Sequence, residues 1–340
     1  MKLSIITTIY KAENDLPRLL DSMMAQKSPE LEFFLIDNGS PDRCGEICRE
    51  YAARDPRFTV YTLEENIGYI RARNLGIEVC DGDYIGFCDS DDYLEPGGYD
   101  RAVEKLRETD CDFYATAYKT VSADWERVDL LPFKSGLYEG QAIQDTLLPQ
   151  LFGYLDGRPM LHGFMWKHVI RRSIVTSNGI RFWEPLKPYE DQLFNIDVVK
   201  RSRRAYIDDS IIYNYIINEA SITAKMVANF DPEAEWQRVT TLYAQKCIRC
   251  ETGFQHTALS NQALWYTYAI ALNMVKCSRL SHTESAQLLR KFAEDGTMHT
   301  FCRDARLRNK ILIFTRLCLL TGRYGLLLSA IETALKLRRS

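Results

Sequence analysis

The first 88 residues alternate between short apolar runs and segments in which apolar residues recur at helical spacing. The run "LSIITTIY" is apolar and rich in β-branched residues, which predicts a buried parallel strand. The segment after it carries Leu16, Leu19, Leu20 and Met23 three or four residues apart, which predicts a helix. Strands separated by helices predict an α/β fold with a doubly wound, mostly parallel sheet. The predicted strands are 3–10, 31–37, 58–63 and 83–88, and the predicted helices are 16–26, 42–54 and 69–80.

Polar residues follow each predicted strand. Thr8 and Tyr10 come at the end of the first strand, residues 37–40 after the second, Asn66 after the third and residues 89–92 after the fourth. Ligands of doubly wound sheets bind beyond the carboxyl ends of the strands. The sequence therefore predicts one site at this edge of the sheet.

The segment "GDYIGFCDSDDYL" places Asp89, Asp91 and Asp92 within four residues. Carboxylates so close together repel one another unless they share a cation, and Mg²⁺ or Mn²⁺ prefers oxygen ligands. A D-x-D with few other protein ligands suits a metal ion that arrives with a diphosphate. The alternative is a solvated loop in which Asp91 or Asp92 caps the next helix. Since the chain has neither a Walker A sequence nor a G-x-G-x-x-G after the first strand, P-loop kinases and dehydrogenases lose support.

Composition and sequence patterns argue against several other classes of protein. The 340-residue chain has a net charge of −3, which offers no bulk attraction to nucleic acid. Its N-terminus does not resemble a signal peptide, so we expect a cytoplasmic protein whose ten cysteines are reduced. Cys247 and Cys250 form a lone C-x-x-C, and zinc would need a second pair of ligands. No apolar stretch is long enough for a membrane span.

Beyond residue 230 the pattern is helical, and its Trp, Tyr and Leu stripes indicate helix–helix packing. The segment from Arg303 to Arg339 carries nine Lys/Arg and two Asp/Glu among many apolar residues. A basic apolar segment of this kind is typical of a helix that lies on the surface of an anionic membrane. The same pattern is equally compatible with a buried terminal helix or a homodimer contact. We expect residues 229–340 to form a helical C-terminal region.

Four blocks of the chain resemble family 2 glycosyltransferases with the GT-A fold. The blocks are "LSIITTIYKAEN", "FFLIDNGSPD", "ENIGYIRARNLGI" and "GDYIGFCDSDDYLEP", which span residues 3 to about 96, and looser features extend the resemblance to about residue 223. The resemblance implies a site for a nucleotide-diphosphate sugar, with a nucleotide-sugar-binding half (1–120) and an acceptor-binding half (121–228). A UDP-sugar is favoured as the donor. Many members have Pro in place of Thr8 and Asp in place of Asn38, and because this chain lacks that second Asp, dTDP and GDP stay open.

The resemblance also implies roles for single residues on the donor side. Asp91, with Asp89, would ligate Mn²⁺ or Mg²⁺ bridging the diphosphate, and such a cation would assist departure of the nucleoside diphosphate. Asp89 would also face the ribose beside Ser90, and Asp37 would contact the base. The remaining donor-side residues are Thr8, Tyr10 and Glu13 around the nucleoside, and Arg73, Asn66 and Asn74 in the nucleotide pocket.

On the acceptor side, the resemblance implies that Asp191 is the general base of an inverting transfer, with Glu190 as a neighbouring polar contact. The alternative is that both are first-turn acids complementing a helix dipole. Trp166 could stack on a sugar and Lys167 could approach the phosphates, although a Trp in such a segment is more often core. Residues 211–223 resemble a strand and a Ser-Ile-Thr lid that includes Ser221.

Taken together, the resemblance implies an enzyme that adds one sugar to a glycan or lipid-linked glycan, as in bacterial-type surface polysaccharide synthesis. Such an enzyme would work in the cytoplasm or at the inner face of the cell membrane. The alternative is a non-catalytic sugar-nucleotide-binding or scaffolding protein of the same fold. A nucleotidyltransferase is disfavoured because residues 5–20 lack a Gly-rich loop with Arg and Lys.

Overall fold

The computed structural model describes residues 1–153, 161, 163–218, 228–277, 280–294 and 296–337. The chain forms two compact units, of which unit 1 comprises residues 1–148 and 162–219 and unit 2 comprises residues 149–161 and 220–340. The predicted division of the first 228 residues at position 120 stays a prediction.

Unit 1 is built on one sheet with the strand order β3-β2-β1-β4-β9-β6-β10-β5, and β7 and β8 pair with β6 and β10. Strands β1 to β4 are parallel and alternate with helices, which confirms the strands and helices predicted for the first 88 residues. The strands are β1 Leu3–Ile9, β2 Leu31–Asp37, β3 Phe58–Thr62, β4 Tyr84–Asp89, β5 Tyr93–Leu94, β6 Phe113–Val121, β7 Glu126–Asp129, β8 Gly136–Glu139, β9 His168–Arg171 and β10 Arg204–Ile216.

The helices of unit 1 flank this sheet. They are α1 Leu16–Met24, α2 Cys44–Arg54, α3 Tyr69–Val79, α4 Gly98–Thr109, α6 Arg172–Ser177 and α7 Glu190–Val199, whereas α5 Leu148–Phe152 begins at the end of the first segment of unit 1 and belongs otherwise to unit 2. Short 3-10 turns occupy Met165–Lys167 and Glu184–Leu186, and a π-helical turn occupies Ile143–Leu147.

The register of the central strands brings their carboxyl ends to one edge. Thr8 of β1 pairs with Ile36 of β2 on one side and with Asp89 of β4 on the other, and Ile9 pairs with Asp37. With a strand spacing of about 4.8 Å, the backbones of Asp37 and Asp89 lie roughly 10 Å apart. The predicted convergence of polar residues at this edge is therefore confirmed.

The second half of the sheet is mixed. β9 runs antiparallel to both β4 and β6, whereas the long β10 runs parallel to β6 and ends antiparallel to β5. β10 therefore reaches the segment that follows Asp89, and it carries Tyr213 to that point. The Ser-Ile-Thr turn beyond it, with Ser221, lies outside the described residues.

Unit 2 is helical in its described part, with a core of Trp, Tyr, Leu and Phe side chains, as the stripes predict. No helix in the described part of the chain is both long and apolar enough to cross a membrane. None of the ten cysteines, all of which lie in described segments, forms a disulfide. The helices are α8 Pro232–Arg249, α9 Gly253–Cys277, α10 His282–Ala293, α11 Thr297–Asp304, α12 Lys310–Leu320 and α13 Tyr324–Leu337.

Candidate active site

The hydroxyl of Tyr213, on β10, holds the acidic loop that follows β4. The Tyr213 hydroxyl accepts the Asp89 backbone N–H at 3.0 Å and donates to Oδ2 of Asp92 at 2.7 Å. Oδ1 of Asp92 accepts the backbone N–H of Ile216 at 2.7 Å, and Asp92 is buried. Asp92 is thus used within the fold, which leaves Asp89 and Asp91, both half-buried, as the two carboxylates at the open edge.

Helix α4 starts too late for either aspartate to cap it. The helix begins at Gly98, and Gly97 occupies its N-cap position. The N-cap alternative for Asp91 and Asp92 is therefore wrong. Ser90 lies half-buried in the turn between Asp89 and Asp91.

The two carboxylates fit a divalent cation that brings its own ligands. Among the described residues, no group of three or more His, Cys, Asp or Glu side chains is placed to hold a metal ion. Burial, reinforced by the negative charge of Asp89, raises the pKa of Asp91 above its ordinary value. A cation would relieve this repulsion, and Mg²⁺ or Mn²⁺ commonly completes its coordination with substrate phosphates and water.

Arg73 is the centre of the site. Its Nη2 donates to Oδ1 of Asp89 at 2.9 Å, and its Nη1 donates to Oδ1 of Asp191 at 3.0 Å and more weakly to Oε1 of Glu190 at 3.4 Å. The side chain is 10% exposed, and its guanidinium lies 5.2 Å from the Tyr69 ring centroid. Helix α3 therefore supplies one buried cation that binds three carboxylates from two distant parts of the sequence.

Glu190 and Asp191 are the first two residues of α7, so the first-turn placement considered from the sequence is also correct. Burial raises the pKa of Asp191 to about 8; the charge of Arg73 opposes this shift, and those of Glu190 and Asp89 add to it. Burial likewise raises the pKa of Glu190. Since the Asp191 side chain is still 23% exposed, its carboxylate is both perturbed and accessible, which is typical of a general base.

Asn195 fixes the turn that carries Asp191. Its Nδ2 donates to the backbone oxygens of Asp191 and Gly163, each at 2.8 Å, and its Oδ1 lies 3.0 Å from Nδ1 of His168. Both His168 and Asn195 are fully buried. This network holds the segment before β9 against the start of α7, and it assigns His168 a structural role.

Asp37 and Asn38 form the corner after β2. Oδ1 of Asp37 accepts the Ser40 backbone N–H at 3.1 Å. Oδ1 of Asn38 accepts the Ile67 N–H at 3.0 Å, and its Nδ2 donates to Oδ1 of Asn66 at 3.3 Å. The Asn66 oxygen also accepts the Gly68 N–H at 2.8 Å. The side chains of Asn38 and Asn66 therefore shape the loop between β3 and α3.

Other predicted donor-side residues differ in their surroundings. Thr8 lies beside Asp89, and Tyr10 is 41% exposed at the same edge.

Oε2 of Glu13 accepts the Arg43 backbone N–H at 3.1 Å, next to the start of α2. Both polar atoms of the Asn74 side chain bind the backbone of Phe182, at 3.0 and 2.9 Å. The nucleotide contacts expected of Glu13 and Asn74 stay predictions, since each side chain already has a structural partner.

Trp166 lies within an aromatic stack. Its ring is nearly parallel to those of Phe164, Tyr213 and Tyr215, at centroid distances of 5.3, 4.7 and 5.6 Å, and it meets Tyr118 edge-on. Trp166 is 5% exposed, so its surroundings favour the core alternative over stacking on a sugar.

Lys167 is 1% exposed, and its Nζ lies 5.7 and 5.5 Å from the ring centroids of Tyr118 and Phe164. Burial lowers the pKa of Lys167 to about 7. The approach of its ammonium group to phosphates stays a prediction.

Sequence reasoning assigned no role to Tyr213 and left Asp92 out of the site. The available signal was the pattern "IIYNYI", in which residues 213 and 215 share one face of a strand. That pattern predicts the face of Tyr213, but pairing of β10 with β5 is what brings its hydroxyl to Asp89.

Comparisons with known proteins show a family to which this chain is similar. A family model described as "Glycosyl transferase family 2" matches residues 4–159. An uncharacterized glycosyltransferase of Haemophilus influenzae is 39% identical over 215 residues, which cover 63% of this chain and 76% of that protein. The uncharacterized glycosyltransferase EpsJ of Bacillus subtilis is 29% identical over 222 residues, or 65% of this chain. The match spans 62% of the length of EpsJ, less than two thirds.

A solved structure gives the fold. The crystal structure of S. aureus TarS residues 1–349 in complex with UDP-GlcNAc matches with a TM-score of 0.70 at 20% sequence identity, and the match covers 99% of this chain and 92% of that chain. At this level of identity the likeness concerns the fold.

Proposed function

Since this chain belongs to glycosyl transferase family 2 and has the GT-A fold, we propose that it transfers one sugar, with inversion, from a nucleotide-diphosphate sugar to a glycan acceptor. The observation that carries the proposal is the Arg73 guanidinium, which binds both Asp89 of the acidic loop and Asp191 of α7. Because Asp89 and Asp191 bind the same guanidinium, this contact supports a donor site and a base that lie next to each other.

The donor would occupy the edge formed by β2, β1 and β4. Asp37 would contact the base, Thr8 and Tyr10 would border the nucleoside, and Asp89 would face the ribose beside Ser90. The UDP-GlcNAc complex of TarS, a protein with the same fold, supports UDP as the first nucleotide to test. dTDP and GDP are the alternatives.

Asp91, with Asp89, would hold Mn²⁺ or Mg²⁺ together with the diphosphate. A divalent cation at this place supplies positive charge where the leaving nucleoside diphosphate becomes more negative. The residues of the chain contribute the two carboxylates and the Tyr213 contact that keeps their loop in place.

Asp191 would accept the proton of the acceptor hydroxyl while that oxygen attacks the anomeric carbon from the face opposite the leaving group. The new bond joins the acceptor oxygen to the anomeric carbon, the bond to the diphosphate oxygen breaks, and the proton ends on the Asp191 carboxylate. Glu190 is a neighbour on the acceptor side. A glycan or a lipid-linked glycan is the acceptor class we propose, and the latter would place the reaction at the inner face of the cell membrane.

One ground for the scaffold alternative is Asn38, which stands where many family members have Asp. In the structure both polar atoms of the Asn38 side chain bind the neighbouring loop, so this residue has a structural explanation that requires no loss of catalysis. The enzymatic proposal is therefore the stronger of the two.

Thermal-shift titration with UDP, GDP, dTDP and CDP, each with and without Mn²⁺, tests the donor site. A ligand that binds only the native state raises the melting temperature as its concentration exceeds Kd. We expect stabilisation by one nucleotide, UDP first, only when Mn²⁺ is present. No shift with any of the four would contradict the donor site and favour the scaffold alternative.

A further inference from the structure

Helix α12 of unit 2 has apolar side chains on both of its sides. Asn309 caps its start, accepting the backbone N–H of Ile311 at 2.9 Å. Leu312, Cys318 and Leu319 are buried in the core of unit 2 on one side. A surface helix normally carries polar residues on the opposite side, but in α12 that side is apolar as well.

The exposed residues of α12 form one continuous patch. Apart from Ile311 at the first turn, each of the others lies three or four positions from Leu317 along the helix, which places them on a common face. We call this patch the α12 face. Its members are Leu317, 56% exposed, Ile311, 51%, Ile313 and Leu320, 37% each, and Phe314, 36%.

The charged residues of the segment that carries the α12 face all have the same sign. From Ala305 to Ile331 the chain has no Asp or Glu, whereas it has Arg306, Arg308, Lys310, Arg316 and Arg323. Arg308 and Lys310 lie at the start of the helix and Arg323 lies just beyond its end, and all three are exposed. Long basic side chains can lie along an apolar surface while their charged ends reach phosphate groups.

We propose that the α12 face binds the surface of an anionic lipid bilayer, with the apolar residues at the level of the acyl chains and the basic residues among the headgroups. An apolar face framed by Lys and Arg is the pattern of a helix that lies in the plane of a membrane interface. Eleven residues rise about 16 Å, roughly half the thickness of a hydrocarbon core, so α12 lies on the membrane rather than across it.

Charge favours a bilayer over a second copy of the chain. In a symmetric dimer through the α12 face, the same patch meets itself. The basic residues at its ends would then approach their own copies with no acidic residue between Ala305 and Ile331 to compensate. Anionic headgroups supply the compensating charge. This inference concerns the partner of unit 2 and stands independently of sugar transfer, although a lipid-linked acceptor would agree with both.

Co-sedimentation of the full chain with vesicles tests the proposal. Vesicles of phosphatidylcholine alone and of phosphatidylcholine with phosphatidylglycerol are compared at low and high salt. We expect binding to the anionic vesicles that falls at high salt, and little binding to the neutral ones. The double variant Phe314→Ser/Leu317→Ser should bind at least tenfold more weakly, and Arg308→Gln/Lys310→Gln should lose most of the salt-sensitive part.

Ile248→Ser is the matched control, since Ile248 is 76% exposed on α8, also in unit 2. It should bind vesicles like the unmodified protein. Unchanged melting temperatures would show that the variants fold, and an unchanged nucleotide-dependent shift would separate this test from that of the donor site. Absence of binding to anionic vesicles, or equal binding by the Phe314→Ser/Leu317→Ser variant, overturns the proposal. If the protein does not bind vesicles but forms a concentration-dependent dimer that the same double variant abolishes, the α12 face is instead a contact with a second copy of the chain.

Discussion

Nη1 of Arg73 lies 3.0 Å from Oδ1 of Asp191, so the proposed base is paired with a residue of helix α3. The same guanidinium holds Asp89 at 2.9 Å. The carboxylates of Asp89, Glu190 and Asp191 thus share one guanidinium. Its planar fork of N–H donors can bind several carboxylates at once.

We expect Arg73→Met to destabilise unit 1 by about 3–5 kcal/mol, because removal of one partner leaves buried charges uncompensated. Arg73→Lys should recover only part of this loss, since an ammonium group cannot reproduce the fork. Urea unfolding followed by circular dichroism at pH 9, where the Asp191 carboxyl is ionised, measures both. Combining Arg73→Met with Asp191→Asn should recover part of the stability, because one of the uncompensated charges is then gone.

Arg71→Met is the control for this prediction. Arg71 is two residues away on α3, its side chain is 62% exposed, and it pairs with the exposed Glu184. An exposed pair contributes at most about 1 kcal/mol. If Arg73→Met costs no more than Arg71→Met, the buried ion pairs do not stabilise the site.

Asp191→Asn should abolish transfer while leaving nucleotide binding intact, because it removes the proton acceptor and little else. In the unmodified enzyme, kcat/KM should rise with pH, reach half of its plateau near pH 8, where the Asp191 carboxyl loses its proton, and level off above that pH. Steady-state kinetics from pH 5.5 to 9.5 measures this profile. Near-normal turnover of Asp191→Asn would move the base elsewhere.

The raised pKa of Asp191 also affects stability. Its folded-state value lies above the ordinary 3.8, so between about pH 4 and pH 8 the native state holds a proton that the unfolded state has released. The contribution of this group therefore makes stability fall as pH rises through that window. Asp191→Asn removes the contribution, and the gain in melting temperature relative to the unmodified protein should be larger at pH 8 than at pH 4.5.

Asp91→Asn should abolish the Mn²⁺-dependent part of nucleotide binding and leave the fold intact. The substitution keeps the shape of the side chain but removes a charged oxygen ligand from a site with few others. Isothermal titration with UDP and Mn²⁺ measures the loss. Asp81→Asn, at a side chain that is 72% exposed, is the control and should bind as before. Unchanged Mn²⁺-dependent affinity in Asp91→Asn would contradict its assignment as a ligand.

The parallel half of the sheet could be predicted from the sequence because its strands are short apolar runs separated by helices. Periodicity predicts the face of each side chain and the end of each strand, and these are local properties. The partners of Asp92 could not be predicted, because its hydrogen bonds to Tyr213 and Ile216 join residues more than 120 positions apart. The core position of Trp166 depends in the same way on aromatic residues of β6 and β10.

Asn38→Asp restores the residue common in the family, and we expect it to lower stability by about 1 kcal/mol. A carboxylate still accepts the Ile67 N–H, but it cannot donate to Asn66. Rotating the Asn66 amide to donate instead would deprive the Gly68 N–H of its acceptor. One hydrogen bond is lost either way. Thermal melts at pH 7 measure the effect, and a variant as stable as the unmodified protein would show that the Asn38–Asn66 bond contributes nothing.

Lys167→Met should raise the melting temperature, most clearly below pH 7. Lys167 is buried between aromatic rings, and burial lowers its pKa to about 7 from the ordinary 10.5. Below pH 7 both states carry the proton, and the native state bears the full cost of the buried charge. Between pH 7 and 10.5 only the unfolded state keeps the proton, so the stability of the unmodified protein rises with pH. Methionine fills a similar volume without charge.

The gain in melting temperature of Lys167→Met should therefore shrink as pH rises from 6.5 to 9.5. Lys27→Met, at an exposed position, should leave the melting temperature unchanged at both pH values. Transfer kinetics distinguish a structural from a functional Lys167. If the ammonium group contacts the donor phosphates, the variant loses affinity for the nucleotide sugar even though it is more stable. If Lys167 only fills the space beside Tyr118 and Phe164, donor KM is unchanged. A variant that is less stable at pH 6.5 would show instead that the contacts of the ammonium group with the two rings outweigh the cost of its burial.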